Sequence, residues 1–249
     1  MRFDVVTLFP EMIQDASSYG ILGRAIENQA VRLVFWNPRA YATDKYRSVD
    51  DKPYGGGPGM LMAVQPLRDT IRTAATNDTG QAKVLYLSPQ GQPLDQLDLI
   101  RFAGLERLIL VSGRYEGIDE RVINSVIDEE ISLGDYVLSG GEIAALAVID
   151  GVTRLLPGVL GTDESSKQES YMHGLLDYPH YTRPEMVDGM EVPNILLSGD
   201  HAAIKRWRLK QSLGRTWQRR PDLMKDYTLD SEQERLLNEF INEQSMKEE

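Results

Sequence analysis

The sequence predicts an α/β fold built on a largely parallel sheet, with a smaller helical part following it. Two continuous apolar runs, Ala82–Leu87 and Arg107–Val111, each lead through a glycine-bearing bend into a helical pattern. Strands apolar on both sides belong to a parallel sheet whose two faces are covered by helices. A third glycine-bearing stretch, 133–141, runs into Ile143–Ile149, which is apolar on every side and reads as a helix buried all round. Past Pro157-Gly158 this pattern gives way to polar and then amphipathic sequence.

Taken in order, Arg2–Phe9 is rich in β-branched and aromatic residues and stops at Pro10, so it reads as a strand. Ile21–Asn28 has helical spacing, and Val31–Trp36 is a second strand ending in Asn37-Pro38. Residues 50–60, with Pro53-Tyr54-Gly55-Gly56-Gly57-Pro58-Gly59, are too glycine-rich for a regular element. The loop lacks the Gly-Lys-Ser/Thr ending of a phosphate loop, which excludes a nucleoside-triphosphatase of that type. After the strand at 82–87 comes the turn Ser88-Pro89-Gln90-Gly91, with a helix from about Leu94. After the strand at 107–111 comes Ser112–Gly117, with a helix opening at Ile118–Arg121. In such sheets ligands sit beyond the carboxyl ends of the strands, so the bends at 88–91, 112–117 and 133–141 should share one edge. None of them is Gly-x-Gly-x-x-Gly, which argues against the usual dinucleotide fold. The stretch 161–174 is polar and without core-facing periodicity, and is expected to be a mobile linker. His201–Gly214 and Ser231–Gln244 are helices, the second carrying Leu236, Leu237, Phe240 and Ile241 on one face. The domain organisation is thus 1–160, a linker over 161–174, and a helical part over 175–249.

No cysteine occurs in the 249 residues, which removes disulfides, thiolate metal sites and cysteine nucleophiles. An acid at Asp4 and the lack of an apolar run of membrane-spanning length point to a soluble, cytoplasmic protein with no membrane partner. The formal net charge of −11 argues at first against nucleic acid, but charge is segregated. Seven basic residues and no acid lie between His201 and Pro221, and nine acids lie from Asp222 onward. A local basic face matters more for phosphate binding than the overall balance.

Five stretches in order are familiar: Leu87–Gly91, Gly113–Arg121, Gly134–Glu142, Pro179–Pro184, and Arg206-Trp207-Arg208 with Gln211-Ser212-Leu213. Together they resemble the bacterial tRNA (guanine-N1)-methyltransferase family, from Met1 to about Phe240. The resemblance implies a SPOUT-type α/β domain with a deep trefoil knot at its C-terminal side, a helical tRNA-binding domain, and a homodimer. It implies transfer of a methyl group from S-adenosylmethionine to N1 of guanine at position 37 of tRNA, next to the anticodon. Mg2+ is implied for the chemical step, although no carboxylate cluster in the sequence marks a metal site. A second SPOUT activity, 2′-O-ribose methylation, and a non-catalytic RNA-binding relic are the alternatives.

By the same resemblance Tyr86, Leu87, Ser88, Pro89, Gly113, Tyr115, Glu116, Leu133, Gly134, Asp135, Tyr136, Val137, Leu138, Gly140 and Gly141 match positions that contact the cofactor. Glu116 could face its sulfonium or its amine. Guanine N1 carries a proton and is a poor nucleophile until that proton leaves. A carboxylate can take it, and a guanidinium near O6 can stabilise the negative charge that develops. Arg154 matches the family arginine, and could otherwise be a cation at a helix C-terminus. The base position holds Glu169, followed by Ser170, where the family has Asp-Ser. Glutamate has similar basicity but is one methylene longer. Ala144 and Ser112, where proline and cysteine are common in the family, are departures expected to be without consequence. For tRNA, Lys205, Arg206, Arg208, Lys210, Arg215, Arg219 and Arg220 could contact phosphates, with Ser165 and His180 as weaker candidates.

Overall fold

A computed structural model describes residues 1–161, 169–225 and 227–248. Ser165, and with it half of the expected linker, lies outside them. The chain divides into two compact units, Met1–Asp163 and Glu164–Glu249.

The first unit holds a five-stranded sheet: β1 (Arg2–Val6), β2 (Arg32–Trp36), β5 (Lys83–Pro93), β6 (Arg107–Ser112) and β7 (Glu129–Ser132), in the order β2-β1-β6-β5-β7. Every pairing in it is parallel. Side chains of a strand point alternately to opposite faces, and here each face has its own core. Phe3, Val5, Leu85, Leu87, Leu108 and Leu110 point to one side. It is covered by α1 (Pro10–Ala16), α2 (Gly20–Glu27), α4 (Gln96–Ala103) and α6 (Glu142–Thr153). Val6, Val84, Tyr86, Ile109 and Val111 point to the other, covered by α3 (Val64–Thr76) and α5 (Glu120–Val126).

A charged cluster sits inside this apolar frame. Asp4 is fully buried beside β6, where its carboxylate accepts from Arg107 Nε, Arg2 Nη2 and Trp36 Nε1, each at 2.7 Å. A buried carboxylate is tolerable when every lone pair is engaged and a cation balances it. Arg107 also donates to the carbonyl of Ala74, so the cluster fastens α3 to the sheet.

Several expectations from sequence change. The strand at the N-terminus ends at Val6, and α1 begins at Pro10, whose missing N–H is harmless in a first turn. Neither α1, α3 nor β7 has a counterpart in the sequence reading. The turn at 88–91 does not end its strand: Leu87 and Gln92 both align with Ile131 of β7. The chain leaves the ladder for residues 88–91 and resumes pairing on the same partner, so the helix starts at Gln96 and not near Leu94. Asp95 caps it, in a reciprocal capping box with Asp98. Finally, α6 is not buried all round. Ile143, Ala147 and Asp150 form an exposed stripe at helical spacing, because no element of the described chain covers that side.

The glycine-rich loop is pinned at its feet by a short antiparallel ladder, β3 (Asp50–Asp51) with β4 (Leu61–Met62). The backbone N–H of Glu116 donates to Met60 and that of Met62 to Gly117, both at 2.9 Å, so the loop lies against the second bend.

In the second unit the helix His201–Arg219 packs on the helix Ser231–Glu248. Leu175, Leu213, Leu236 and Leu237 form its core. Asp200 caps the first helix by accepting from Ala202 N and Ala203 N at 3.0 Å. Gly214 is required by contact: a Cβ there would stand 2.3 Å from the ring of Phe240.

Candidate functional site

All three bends meet at the carboxyl ends of β5, β6 and β7, around a cleft of about 280 Å³. Fourteen of the fifteen expected cofactor positions line it; Asp135 is the exception and does not. The strand order explains the convergence. After β6 the chain passes over β5 to reach β7, then returns through 133–141 to the end of β6. There Gly141 N donates to Gly113 O at 2.9 Å.

Glycine is needed at two of these positions for lack of space. A Cβ on Gly141 would lie 2.7 Å from Ser112 Cα, and one on Gly113 would lie 2.9 Å from the Tyr86 hydroxyl and ring. Neither neighbour is the free end of a flexible chain. Tyr115 has φ of +61°, a conformation unfavourable for an aromatic residue. Its hydroxyl donates to Asp50 Oδ1 at 3.2 Å, and the backbone bond from Glu116 to Met60 holds the next residue. On the third bend, Ser132 Oγ accepts from Gly134 N at 3.1 Å and donates to Gly134 O at 3.2 Å, which fixes the turn out of β7.

The electrostatics of the cleft are lopsided. Glu116, Glu120 and Glu130 line it, against Arg114, which is ion-paired to Glu142 at 2.8 Å. Among the described residues, the lining therefore offers negative charge to a ligand and no free cation. Tyr86 lies under the cleft, and burial, helped by the charge of Glu130, pushes its hydroxyl up to about 12 from 10.0. The folded protein then holds that proton after the unfolded chain has lost it. The stabilisation is fully present below pH 10 and disappears as pH climbs from 10 towards 12. Following phenolate absorbance against pH should show a late-titrating tyrosine that is missing in Tyr86→Phe. Equal late amplitude in both proteins would refute the assignment.

Sequence reasoning overlooks Glu120 and Glu130. Glu130 lies on the unrecognised strand β7, where alternation in a four-residue element is too short to read. Glu120 belongs to one of the familiar stretches but reads as an ordinary first-turn acid of α5.

The remaining expected residues are elsewhere. Arg154 is half-buried at the C-cap of α6, with its backbone N–H donating to Asp150. Glu169 is exposed, and its carbonyl accepts from Met172 N at 3.3 Å. In the second unit His180 Nε2 lies 2.9 Å from Asp177 Oδ2, and Arg208 stacks over Tyr178 with Cζ 4.7 Å from the ring centroid. The basic helix is split by face. Lys205, Arg208, Arg215 and Arg219 share one side at helical spacing. Arg206 and Lys210 turn to the last helix, pairing with Glu239 at 2.7 Å and Glu243 at 2.6 Å, and Arg220 pairs with Asp222 at 2.6 Å. The run without an acid in sequence is thus partly neutralised by acids from further along the chain.

Comparison with known proteins matches residues 1–226 to the family described as tRNA (Guanine-1)-methyltransferase TrmD. A tRNA (guanine-N(1)-)-methyltransferase of Methylococcus capsulatus is 60% identical over 243 residues, 98% of this chain and 97% of that protein. Proteins of the same name from Chromohalobacter salexigens and Escherichia coli are 58% and 57% identical, covering 98% and 99% of this chain and 94% and 97% of their own lengths.

Proposed function

Since the chain belongs to the tRNA (guanine-1)-methyltransferase family, we propose that it methylates N1 of the guanine at position 37 of tRNA, with S-adenosylmethionine as donor. The observation that carries this reading is a glycine-lined cleft edged by three carboxylates with, among the described residues, no unpaired cation. That lining suits a ligand bearing sulfonium and ammonium charges and disfavours one rich in phosphate. Its fit to the donor is otherwise steric: bare glycine backbone at 113, 134, 140 and 141 leaves room for a flat base and presents amide groups to its edge. When bound, the donor supplies an electrophilic methyl group.

The protein's own part is to prepare the nucleophile. Glu169 takes the N1 proton of guanine, and the freed lone pair on N1 could then accept the methyl group, the S–CH3 bonding pair staying with the donor's sulfur as a neutral thioether. Arg154 holds the negative charge that collects at O6 as the proton leaves. Tyr136, Val137 and Leu138, all exposed at the rim of the cleft, close off water beside the reacting atoms. Magnesium, which the resemblance also implies, has no group of three His, Asp or Glu side chains to hold it among the described residues.

The passage of the chain from β6 over β5 to β7 and the return of 133–141 support a trefoil knot as the architecture around the donor. The exposed Ile143 and Ala147 on α6, with Phe9, Met12 and Val137, support a homodimer that covers them. We place the reaction in the cytoplasm, where donor and tRNA are both available. Among the described residues no helix is long and apolar enough to cross a membrane.

Methyl transfer to an anticodon stem-loop with guanine at position 37, followed by nucleoside digestion, tests the reading. The product should be 1-methylguanosine, absent when position 37 is adenine; a 2′-O-methylated nucleoside would replace this reading with ribose methylation. For tRNA binding, a steep fall in affinity with salt is expected. Lys205→Ala, Arg208→Ala or Arg219→Ala should each lessen the slope by about one. Arg206→Ala, whose cation Glu239 already engages, should change it less; a flat salt dependence of the parent protein would count against the basic face.

A further inference from the structure

We propose that Arg114 and Glu142 are positioning residues that fasten the second and third bends of the cleft to the end of β1 and so set its affinity for the methyl donor. The proposal rests on the methyl-donor reading of the cleft. Glu142 is fully buried at the first turn of α6. A carboxylate there needs partners to remain charged, and the helix N-terminus adds a favourable field. Thr7, just past β1 and itself fully buried, donates its hydroxyl to Glu142 Oε1 at 2.8 Å. Arg114 Nε lies 2.8 Å from Oε2.

From that anchor the guanidinium reaches across the cleft wall. Arg114 Nη1 donates to the carbonyl of Ser139 on the third bend at 3.1 Å, and its Cζ lies 4.5 Å from the ring centroid of Phe9. Gly140 makes room for it, since a Cβ there would stand 2.2 Å from Arg114 Nε. One side chain therefore joins 112–117 to 137–141 and, through Glu142 and Thr7, to the first strand. Pairing with Glu142 also removes the one cation among the cleft's lining, so Glu116, Glu120 and Glu130 act on a ligand unopposed.

A pair that merely stabilised the fold would affect stability and binding together, and the two can be separated. In the Arg114→Gln, Glu142→Gln double variant no buried charge is left unpaired, and the amide oxygen at position 142 can still accept from Thr7. The shorter amide side chain at position 114 cannot hold residue 142 and the Ser139 carbonyl at once. Neutralising a buried pair at both ends is often close to neutral for stability, so this protein should melt near the parent. Calorimetric titration with S-adenosylhomocysteine should show binding about ten- to a hundredfold weaker, the size of a lost charge-assisted bond. Turnover at saturating donor should fall by less than about threefold, as expected when donor binding and not the chemical step is affected. Arg114→Lys keeps a cation for Glu142 and loses the reach to Ser139, so it should show the same weakened binding. Parent-like affinity in either folded variant overturns the proposal, as does lost turnover at unchanged affinity. Failure of the parent protein itself to bind S-adenosylhomocysteine would instead overturn the methyl-donor reading, and this assignment with it.

Discussion

Glu169→Ala is expected to lower methyl transfer by about a hundredfold to ten-thousandfold, the range over which a positioned general base acts. Donor binding should be unchanged, because a general base acts on the guanine proton and not on the donor. The loss should appear in kcat at saturating donor and tRNA, which single-turnover kinetics would measure directly. Glu169→Asp sharpens the test. It restores the shorter carboxylate that the family resemblance implies at this position, and a misplacement of about 1 Å can cost on the order of a hundredfold. If the segment around 169 places the longer side chain well, aspartate will be no better than the parent and will lose at most about tenfold. A Glu169→Ala protein with near-parental turnover would remove this residue from the mechanism and direct attention to another base.

The second large effect is expected at Gly141. Alanine there would bring a methyl group to 2.7 Å from Ser112 Cα and 3.0 Å from Gly113 N. Both obstacles are backbone at the end of a central strand, so the third bend must shift outward. Overpacking of this kind costs about 1–3 kcal/mol. The bend that moves also carries part of the donor's lining, so affinity for S-adenosylhomocysteine should fall by about tenfold or more, each ~1.4 kcal/mol of displacement being a factor of ten. Gly161 is the matched control, since a Cβ there meets nothing within 4 Å. Gly161→Ala should bind and melt like the parent. Unaltered donor affinity in Gly141→Ala would mean that the third bend takes no part in the site.

Much of this arrangement can be read from the amino-acid order, and the parts that cannot fail for identifiable reasons. Strands β5 and β6 are legible because both their faces are apolar, which few other elements imitate. Strand β7 is not: in Glu129-Glu130-Ile131-Ser132 only the last two are buried, and four residues give no usable period. The excursion at 88–91 looks in sequence like the end of a strand, since Pro89 and Gly91 are turn residues. Only the partner strand reveals that pairing resumes. The cleft residues emerge through motif resemblance and not through periodicity, and Asp135 shows the limit of that route, since a matching position need not face the site. The neutralised cations of the basic helix are hidden for another reason: Arg206 and Glu239 are 33 residues apart, and local charge counting does not look that far.

The buried carboxylate of Asp4 also works as an alignment key for the whole sheet. Sliding β1 by one residue against its neighbours would move Asp4 to the opposite side, among Phe102, Leu108 and Val148, away from the guanidinium group of Arg107 and the indole N–H of Trp36. Such a slip would strand a charge in hydrocarbon at a cost of roughly several kcal/mol, where an all-apolar strand would have slipped almost freely. Strand β1 therefore carries within itself a device for rejecting misaligned partners.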